Sequence, residues 1–139
     1  MTTTRASATT GLMALGLVLG LVLRAAFAED AAKVSFQRDI APLLKDHCAP
    51  CHLTGEEGGH MSLYPAAAYK TLVGVPSTES PLPRVKPGEP DQSYVVRKLE
   101  GTHIEAGGSG MRMPLEGGPL EPAEIKLIRS WISEGALQN

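Results

Sequence analysis

The chain has 139 residues, a formal net charge of −2 and only 4% aromatic residues, together with 15 glycines and 11 prolines. This length suits one ordinary domain, and the slightly acidic balance argues against binding to nucleic acid or to anionic membrane surfaces. Because large side chains are few and loops are many, the chain has little material for a protein core, which favours a fold completed by a bound group.

The first 28 residues have the pattern of a secretory signal. Arg5 supplies a positive n-region, residues 11–23 form an uncharged apolar run, and Ala26–Ala28 matches a small-x-small cleavage site. The apolar run is too short to cross a bilayer core, and Arg24 closes it. We therefore predict cleavage after residue 28, one domain at residues 29–139, no membrane insertion after cleavage and a periplasmic location.

Two short helices are predicted in the first half of this domain. The first runs from Phe36 to about Cys48, where apolar residues recur at spacings of three and four along one face. Pro42 is tolerated only in a first helical turn, so we expect a start near Asp39 or a kink near Pro42. The second helix covers about residues 65–72 and has a proline in its first position.

Two further helices are predicted in the second half. The third covers about residues 92–99, with Asp91 as its cap and Gly101 just past its end. The fourth covers residues 122–134 and carries an apolar stripe that includes Trp131, which we expect in the core. The predicted fold class is all-α, with about four short helices and long loops.

The end of the first helix carries the most informative motif. Residues 48–52 read Cys-Ala-Pro-Cys-His and contain both cysteines of the chain. Cys-x-x-Cys-His is the sequence in which c-type haem is attached. Cys48 and Cys51 would each form a thioether with a haem vinyl group, and His52 would offer a ring nitrogen to the iron. We therefore predict one covalently bound haem c, which agrees with export, because haem is attached to exported apoproteins outside the cytoplasm.

Two other uses of the cysteines remain open from the sequence. Cys48 and Cys51 could form a disulfide or a redox-active pair, which would normally lie in a strand–helix–strand unit. Together with His52 and one further histidine, they could instead hold a structural zinc ion. The candidates for that fourth zinc ligand are His47, His60 and His103.

The glycine-rich segment 101–119 contains the candidates for the second axial position on the iron. Met113 is the first choice, because a flexible thioether can reach across a haem face; Met111 is the second, and His103 is a further option. The segment has few residues that can bury apolar area, so we expect its order to depend on the bound iron. His60 and His103 lie in polar loops and are expected to be exposed.

The order of these motifs resembles that of a known family. A helix ending in Cys-x-x-Cys-His is followed by a variable middle, by Met113 and a proline in a glycine-rich loop, and by a last helix reading Glu-Ile-x-x-Ile-x-x-Trp-Ile-x-x-Gly-Ala from Glu124. This pattern is similar to that of small class I c-type cytochromes, in particular the cytochrome c-like domains common in planctomycetes. The similarity covers nearly all of residues 35–137 and implies a class I cytochrome c-like fold, in which the first and last helices cross and the haem lies beneath them.

The resemblance implies electron transfer. With His52 and Met113 both on the iron, no position remains for a substrate, so we expect no enzyme activity; electrons would pass to redox partner proteins in brief encounters at an exposed haem edge. The alternatives are a haem-based binding or sensing module, if neither methionine binds the iron, and a cytochrome subunit of a larger dehydrogenase. Four basic residues are candidates to pair with haem propionates: Arg84, Lys86, Arg97 and Arg112.

Overall fold

The computed structural model describes residues 1–2 and 33–139, so the predicted signal segment and its cleavage site lie outside the described residues. Residues 33–139 contain four helices and no strand, which confirms an all-α fold for this part of the chain. No helix within the described ranges is long and apolar enough to cross a membrane.

The helices follow one another along residues 33–139. A π-helical turn, Phe36–Ile40, leads into α1, which is Ala41–His47, and α2 is Pro65–Leu72. A 3-10 turn at Pro90–Gln92 comes before α3, which is Tyr94–Glu100, and α4 is Pro122–Ser133.

The start of the first helix is set by a reciprocal cap and by a proline. The Ser35 hydroxyl accepts a hydrogen bond from the main chain of the first turn, and the Ser35 amide donates to the Asp39 carboxylate over 2.8 Å. The Ala41 amide then donates to the Phe36 carbonyl, a π-type bond that precedes Pro42 in the first turn of α1. The irregularity predicted at this proline is therefore present, as a π-helical turn.

The third helix begins later than predicted. Its α-helical part starts at Tyr94, and Asp91 does not cap it, because the Asp91 carboxylate is paired with Arg129 of α4. The residue before the helix is Ser93, which is fully buried and accepts a hydrogen bond from a neighbouring loop amide. Gly101 ends the helix at φ 79°, in the left-handed conformation that glycine adopts without strain, as predicted.

Three aromatic rings join the first turn, α2 and α4. The ring centroid of Phe36 lies 5.2 Å from that of Tyr69 and 5.4 Å from that of Trp131. Trp131 is 1% exposed, which confirms its predicted place in the core. Both polar aromatic groups are satisfied, since the Tyr69 hydroxyl donates to the Ala136 carbonyl over 3.0 Å and the Trp131 indole donates to the Leu137 carbonyl over 2.9 Å.

The last residue of the chain is bonded to the first helical turn. The Asn139 side-chain oxygen accepts from the Phe36 amide over 3.0 Å, and its main-chain carbonyl accepts from the Gln37 amide over 3.0 Å. The same carbonyl accepts from the Ser35 hydroxyl over 2.8 Å. Asn139 thus satisfies amides that the start of a helix leaves without partners. These bonds connect the two ends of the 33–139 domain.

Replacing Trp131 with Ala is expected to lower the free energy of unfolding by about 3–5 kcal/mol, the range for a large aromatic side chain removed from a packed core. Urea denaturation followed by far-ultraviolet circular dichroism measures the change. Ile104→Ala is the control, because Ile104 is 60% exposed, and its effect should stay within about 0.5 kcal/mol. Equal effects of the two substitutions would contradict the importance of the aromatic contacts.

Candidate cofactor site

A cavity of about 530 Å³ lies against the turn that follows α1. This volume falls within the roughly 300–1,000 Å³ of small-molecule and cofactor sites. Cys48, Cys51, His52 and Met113 all line it, so the structure brings both segments singled out by the sequence to one site. Most of the remaining wall is apolar and includes Met61, Leu63, Leu72, Val95, Leu99 and Leu115.

A single helical turn places the three motif side chains together. The Cys48 amide donates to the Leu44 carbonyl over 3.0 Å, which continues the bonding of α1 into the motif. The Cys51 and His52 amides then donate to the Cys48 carbonyl over 3.1 and 3.0 Å. Downstream, the His52 carbonyl accepts from the Leu63 amide over 2.7 Å, which fixes the exit from the turn. The motif is therefore held by main-chain bonds on both sides.

The His52 ring is incompletely satisfied by protein groups. Its Nδ1 is buried and has no hydrogen-bond partner among the residues that the structure describes. A buried polar atom left without a partner costs roughly 1–3 kcal/mol. Such an imidazole fits a site whose surroundings are completed by a bound group.

The two thiols differ in exposure, and the Cys48 thiol does not have the lowered pKa of a redox-active cysteine. Both are free, with Cys51 exposed and Cys48 half-buried. Burial, and secondarily the nearby Cys51 thiol, raise the pKa of Cys48 to about 11. Redox-active Cys-x-x-Cys pairs have a lowered thiol pKa and lie near cationic groups or helix N-termini. The site therefore does not favour the redox alternative.

The three histidines named as candidates for a fourth zinc ligand lie in different surroundings. No group of three or more His, Cys, Asp or Glu side chains placed to hold a metal ion occurs in the part of the chain that the structure describes. His47 lies at the edge of the cavity, but its Nε2 is 3.2 Å from the Glu124 carboxylate. His60 is exposed, as predicted, and His103 is not among the cavity-lining residues.

The two candidate methionines are in different surroundings. Met113 lines the cavity and is half-buried against the core, and its amide donates to the Lys98 carbonyl over 3.1 Å. Met111 is 64% exposed and lies outside the cavity lining. The placement thus agrees with the first choice made from the sequence and not with the second.

The prediction that His103 is exposed is wrong. Its residue surface is 4% exposed, and its Nε2 lies 3.0 Å from the Gly110 carbonyl, while Nδ1 is buried without a partner among the described residues. The glycine-rich loop turns back over α3 and encloses the ring. A polar, glycine-rich neighbourhood in the sequence gives no sign of that long-range contact.

Polar side chains of the domain bond the main chain of segment 101–119, whose order the sequence analysis expects to depend on bound iron. Lys98, which the sequence analysis did not single out, is 9% exposed and bonds two carbonyls of the segment. His103 bonds a third carbonyl, and Arg112 donates back to the Leu99 carbonyl over 2.8 Å. Polar side chains therefore hold the part of the loop that precedes Met113.

Arg84 is the one of the four basic candidates for pairing with propionates that lines the cavity. It is 8% exposed, and its guanidinium donates to the carbonyls of Thr71, Gly59 and His60 over 2.6–3.0 Å. It makes no ion pair with any carboxylate in the described ranges. Burial accordingly lowers the pKa of Arg84. A buried cation without a counter-charge suits an anionic group entering the cavity.

Comparison with known proteins finds no match for the chain among family models, curated proteins or solved structures. The case for a function therefore depends on the motif and on the geometry of the cavity.

In protein made without haem, Cys48 should be alkylated slowly. In a Cys51→Ala variant, its rate at about pH 8 should be lower in the native state than in urea by up to roughly 100-fold, because the thiolate reacts and each pKa unit changes its population tenfold. This follows from a pKa of about 11 against the ordinary 9.0. Burial, the larger cause of the raised pKa, remains in this variant. As pH rises towards the folded pKa, the native rate should approach the unfolded one.

The matched control is Cys48→Ala, which leaves the exposed Cys51 thiol. Native and unfolded rates should then be similar. Mass spectrometry of quenched samples follows both variants. If native Cys48 reacted as fast as unfolded Cys48, the buried environment assigned to this thiol would be wrong.

Proposed function

We propose that the protein is a small class I c-type cytochrome that carries one covalent haem c and transfers electrons. The observation that carries the proposal is the common cavity of Cys48, Cys51, His52 and Met113, residues that belong to two segments far apart in the sequence. A Cys-x-x-Cys-His turn is the attachment sequence of c-type haem, and a thioether opposite a histidine is the axial pair of electron-carrying cytochromes c.

Each of these residues has one role in the proposed site. Cys48 and Cys51 would hold the group covalently through their sulfur atoms, from one helical turn. His52 would bind the iron through a ring nitrogen, and Met113 would bind it through its sulfur, from the loop. The haem supplies reversible one-electron chemistry at its iron. A class I cytochrome c-like fold is part of the proposal, supported by the contact between the first helical turn and α4 through Phe36 and Trp131.

Arg84 supports a group with anionic substituents. Its guanidinium is buried on the cavity wall and faces only uncharged carbonyl partners among the described residues. Haem carries two propionates, and arginine suits carboxylates because its planar fork can bond both oxygens. Pairing would give the buried charge the partner that the protein alone does not provide.

The cavity is open to solvent on one side, which is compatible with electron transfer to a partner protein. Cys51 and Leu115 are exposed lining residues, so one edge of a group bonded to Cys51 would lie near the surface. A redox partner protein can approach such an edge through a small, short-lived interface. With both axial positions taken by protein side chains, no position remains for a substrate, and we propose a carrier and not an enzyme. The leader predicted at residues 1–28 supports a periplasmic location.

The test is production of the full-length protein in a host that exports it and attaches haem. Mass spectrometry should show one added haem and a mature chain beginning at Glu29. A pyridine haemochrome spectrum should be that of c-type haem, and the colour should stay with the protein in acid-acetone. A protein that yields extractable haem, zinc or no cofactor would overturn the proposal. Cys51→Ala is the internal control for the thioether bonds.

Met113→Ala should remove the sulfur ligand and lower the reduction potential, because thioether ligation favours ferrous iron. Ultraviolet–visible spectra of the ferric protein and potentiometric titration measure the two effects. Met111→Ala is the matched control, since Met111 is 64% exposed, and it should keep the wild-type spectrum and potential. The reverse result, with Met111→Ala losing the sulfur ligand, would move the axial assignment to Met111.

A further inference from the structure

We infer that Lys98 is the positioning residue for Met113, and that it holds the ligand loop in its binding geometry before any group is bound. This inference rests on the proposed function, because it concerns the second axial ligand of the same site. Lys98 is a buried residue of the cavity wall, and in this proposal it would act on the iron only through Met113.

All three donors of the Lys98 ammonium are used. Nζ donates to the Ser109 carbonyl over 2.9 Å and to the Met111 carbonyl over 3.0 Å. The third partner is a Glu79 carboxylate oxygen at 3.1 Å. The side chain is only 11% exposed, so these bonds form with little competition from water. The ammonium thus ties two loop carbonyls to one carboxylate.

The main chain of Lys98 continues the same pattern. Its carbonyl accepts from the Met113 amide over 3.1 Å, so one residue of α3 bonds loop residues 109, 111 and 113. The intervening Gly110 carbonyl lies 3.0 Å from His103 Nε2. Residues 109, 111 and 113 therefore each bond to Lys98 of α3, and the last of these bonds is made by the amide of Met113. This arrangement fixes the direction in which the chain reaches the cavity.

The loop packs closely on Tyr94 at residues 108 and 109, which leaves its main chain little conformational freedom there. A methyl group added at Gly108 would lie 2.5 Å from the Tyr94 hydroxyl oxygen and 2.7 Å from the His103 carbonyl oxygen. The Ser109 amide donates to the Tyr94 hydroxyl over 3.3 Å. Lys98 Nζ lies 5.7 Å from the centre of the Tyr94 ring, within the range of a cation–π contact. Tyr94 and Lys98 lie one turn apart on α3, and both bond the loop.

The consequence for the iron follows from preorganisation. A thioether is a weak ligand, and its effective strength depends on how little order must be gained when it binds. If Lys98 already holds the loop, Met113 binds at small entropic cost and excludes competing ligands. If the loop is released, Met113 leaves more easily, and an added ligand can take its place.

The first experiment measures the loop in protein made without haem. In Lys98→Leu, which keeps apolar contacts but removes the donors, hydrogen exchange of the Ser109 and Met113 amides should accelerate at least about tenfold, the factor expected from losing charge-assisted hydrogen bonds. These two amides donate to the Tyr94 hydroxyl and to the Lys98 carbonyl. Exchange in α4 should stay unchanged. The control is Lys70→Leu, since Lys70 is an exposed lysine of α2. Unchanged exchange at these two amides would overturn the inference.

The second experiment measures the competition at the iron in the haem-loaded, ferric protein. The affinity for added imidazole should rise roughly 10- to 100-fold in Lys98→Leu, which adds no sulfur to the cavity wall. In a Met113→Ala background the same substitution should have almost no effect on that affinity, because no methionine remains to be displaced. An equal rise in both backgrounds would show general loosening of the cavity and would overturn the positioning role.

Glu79→Gln is a milder variant in case Lys98→Leu does not fold. It keeps Lys98 but removes the charge of its carboxylate partner, and it should move exchange and imidazole affinity in the same direction by a smaller factor. The absence of haem from the wild-type protein would overturn the proposed function, and the role towards Met113 with it. Normal haem attachment with wild-type imidazole affinity in both variants would overturn this inference alone.

Discussion

The contact of Phe36 with Trp131 and Tyr69 sets the geometry on which the rest of this domain depends. It packs the start of the first helix against α4 and α2, and thereby sets the direction in which α1 continues towards Cys48. Because the motif turn extends the bonding of α1, the orientation of its thiols and imidazole follows from this packing. On the other side, Arg129 of α4 pairs with Asp91 in the 3-10 turn before α3 and with Glu100 at the end of α3, the helix that leads into the ligand loop.

Polar groups buried beside the cavity lower the free energy of unfolding of the domain. Arg84 is buried beside it without a carboxylate partner in the described ranges, and Nδ1 of His52 has no partner there either. Buried groups of this kind are tolerated when something compensates for their lost hydration. A small chain with few aromatic residues also gains little from its own core. A flat, apolar group with anionic edges, as we propose for this cavity, would compensate Arg84 and add apolar contacts that the chain itself lacks.

The sequence predicts the local features of this domain better than its long-range contacts. Cys48, Cys51 and His52 lie within one helical turn, so their spacing alone places them together, and the alternation of apolar residues identifies α1 and α4. Their roles towards a haem stay predictions. Asp91 was wrongly predicted as a cap, because its carboxylate pairs with Arg129, a residue distant in sequence. The burial of His103, Lys98 and Arg84 arises likewise from contacts between segments that no local pattern records.

The bonds of Asn139 to the first helical turn have a consequence for the order in which the structure forms during synthesis. A chain made from its N-terminus presents Phe36 and the cysteines long before Asn139, about a hundred positions later, is added. Until then, the amides that Asn139 caps have no partner from the end of the chain, and Trp131 is not yet in place behind the first turn. The packing of Phe36 on Trp131 and the bonds of the first turn to residue 139 therefore form only after nearly all of residues 33–139 have been made.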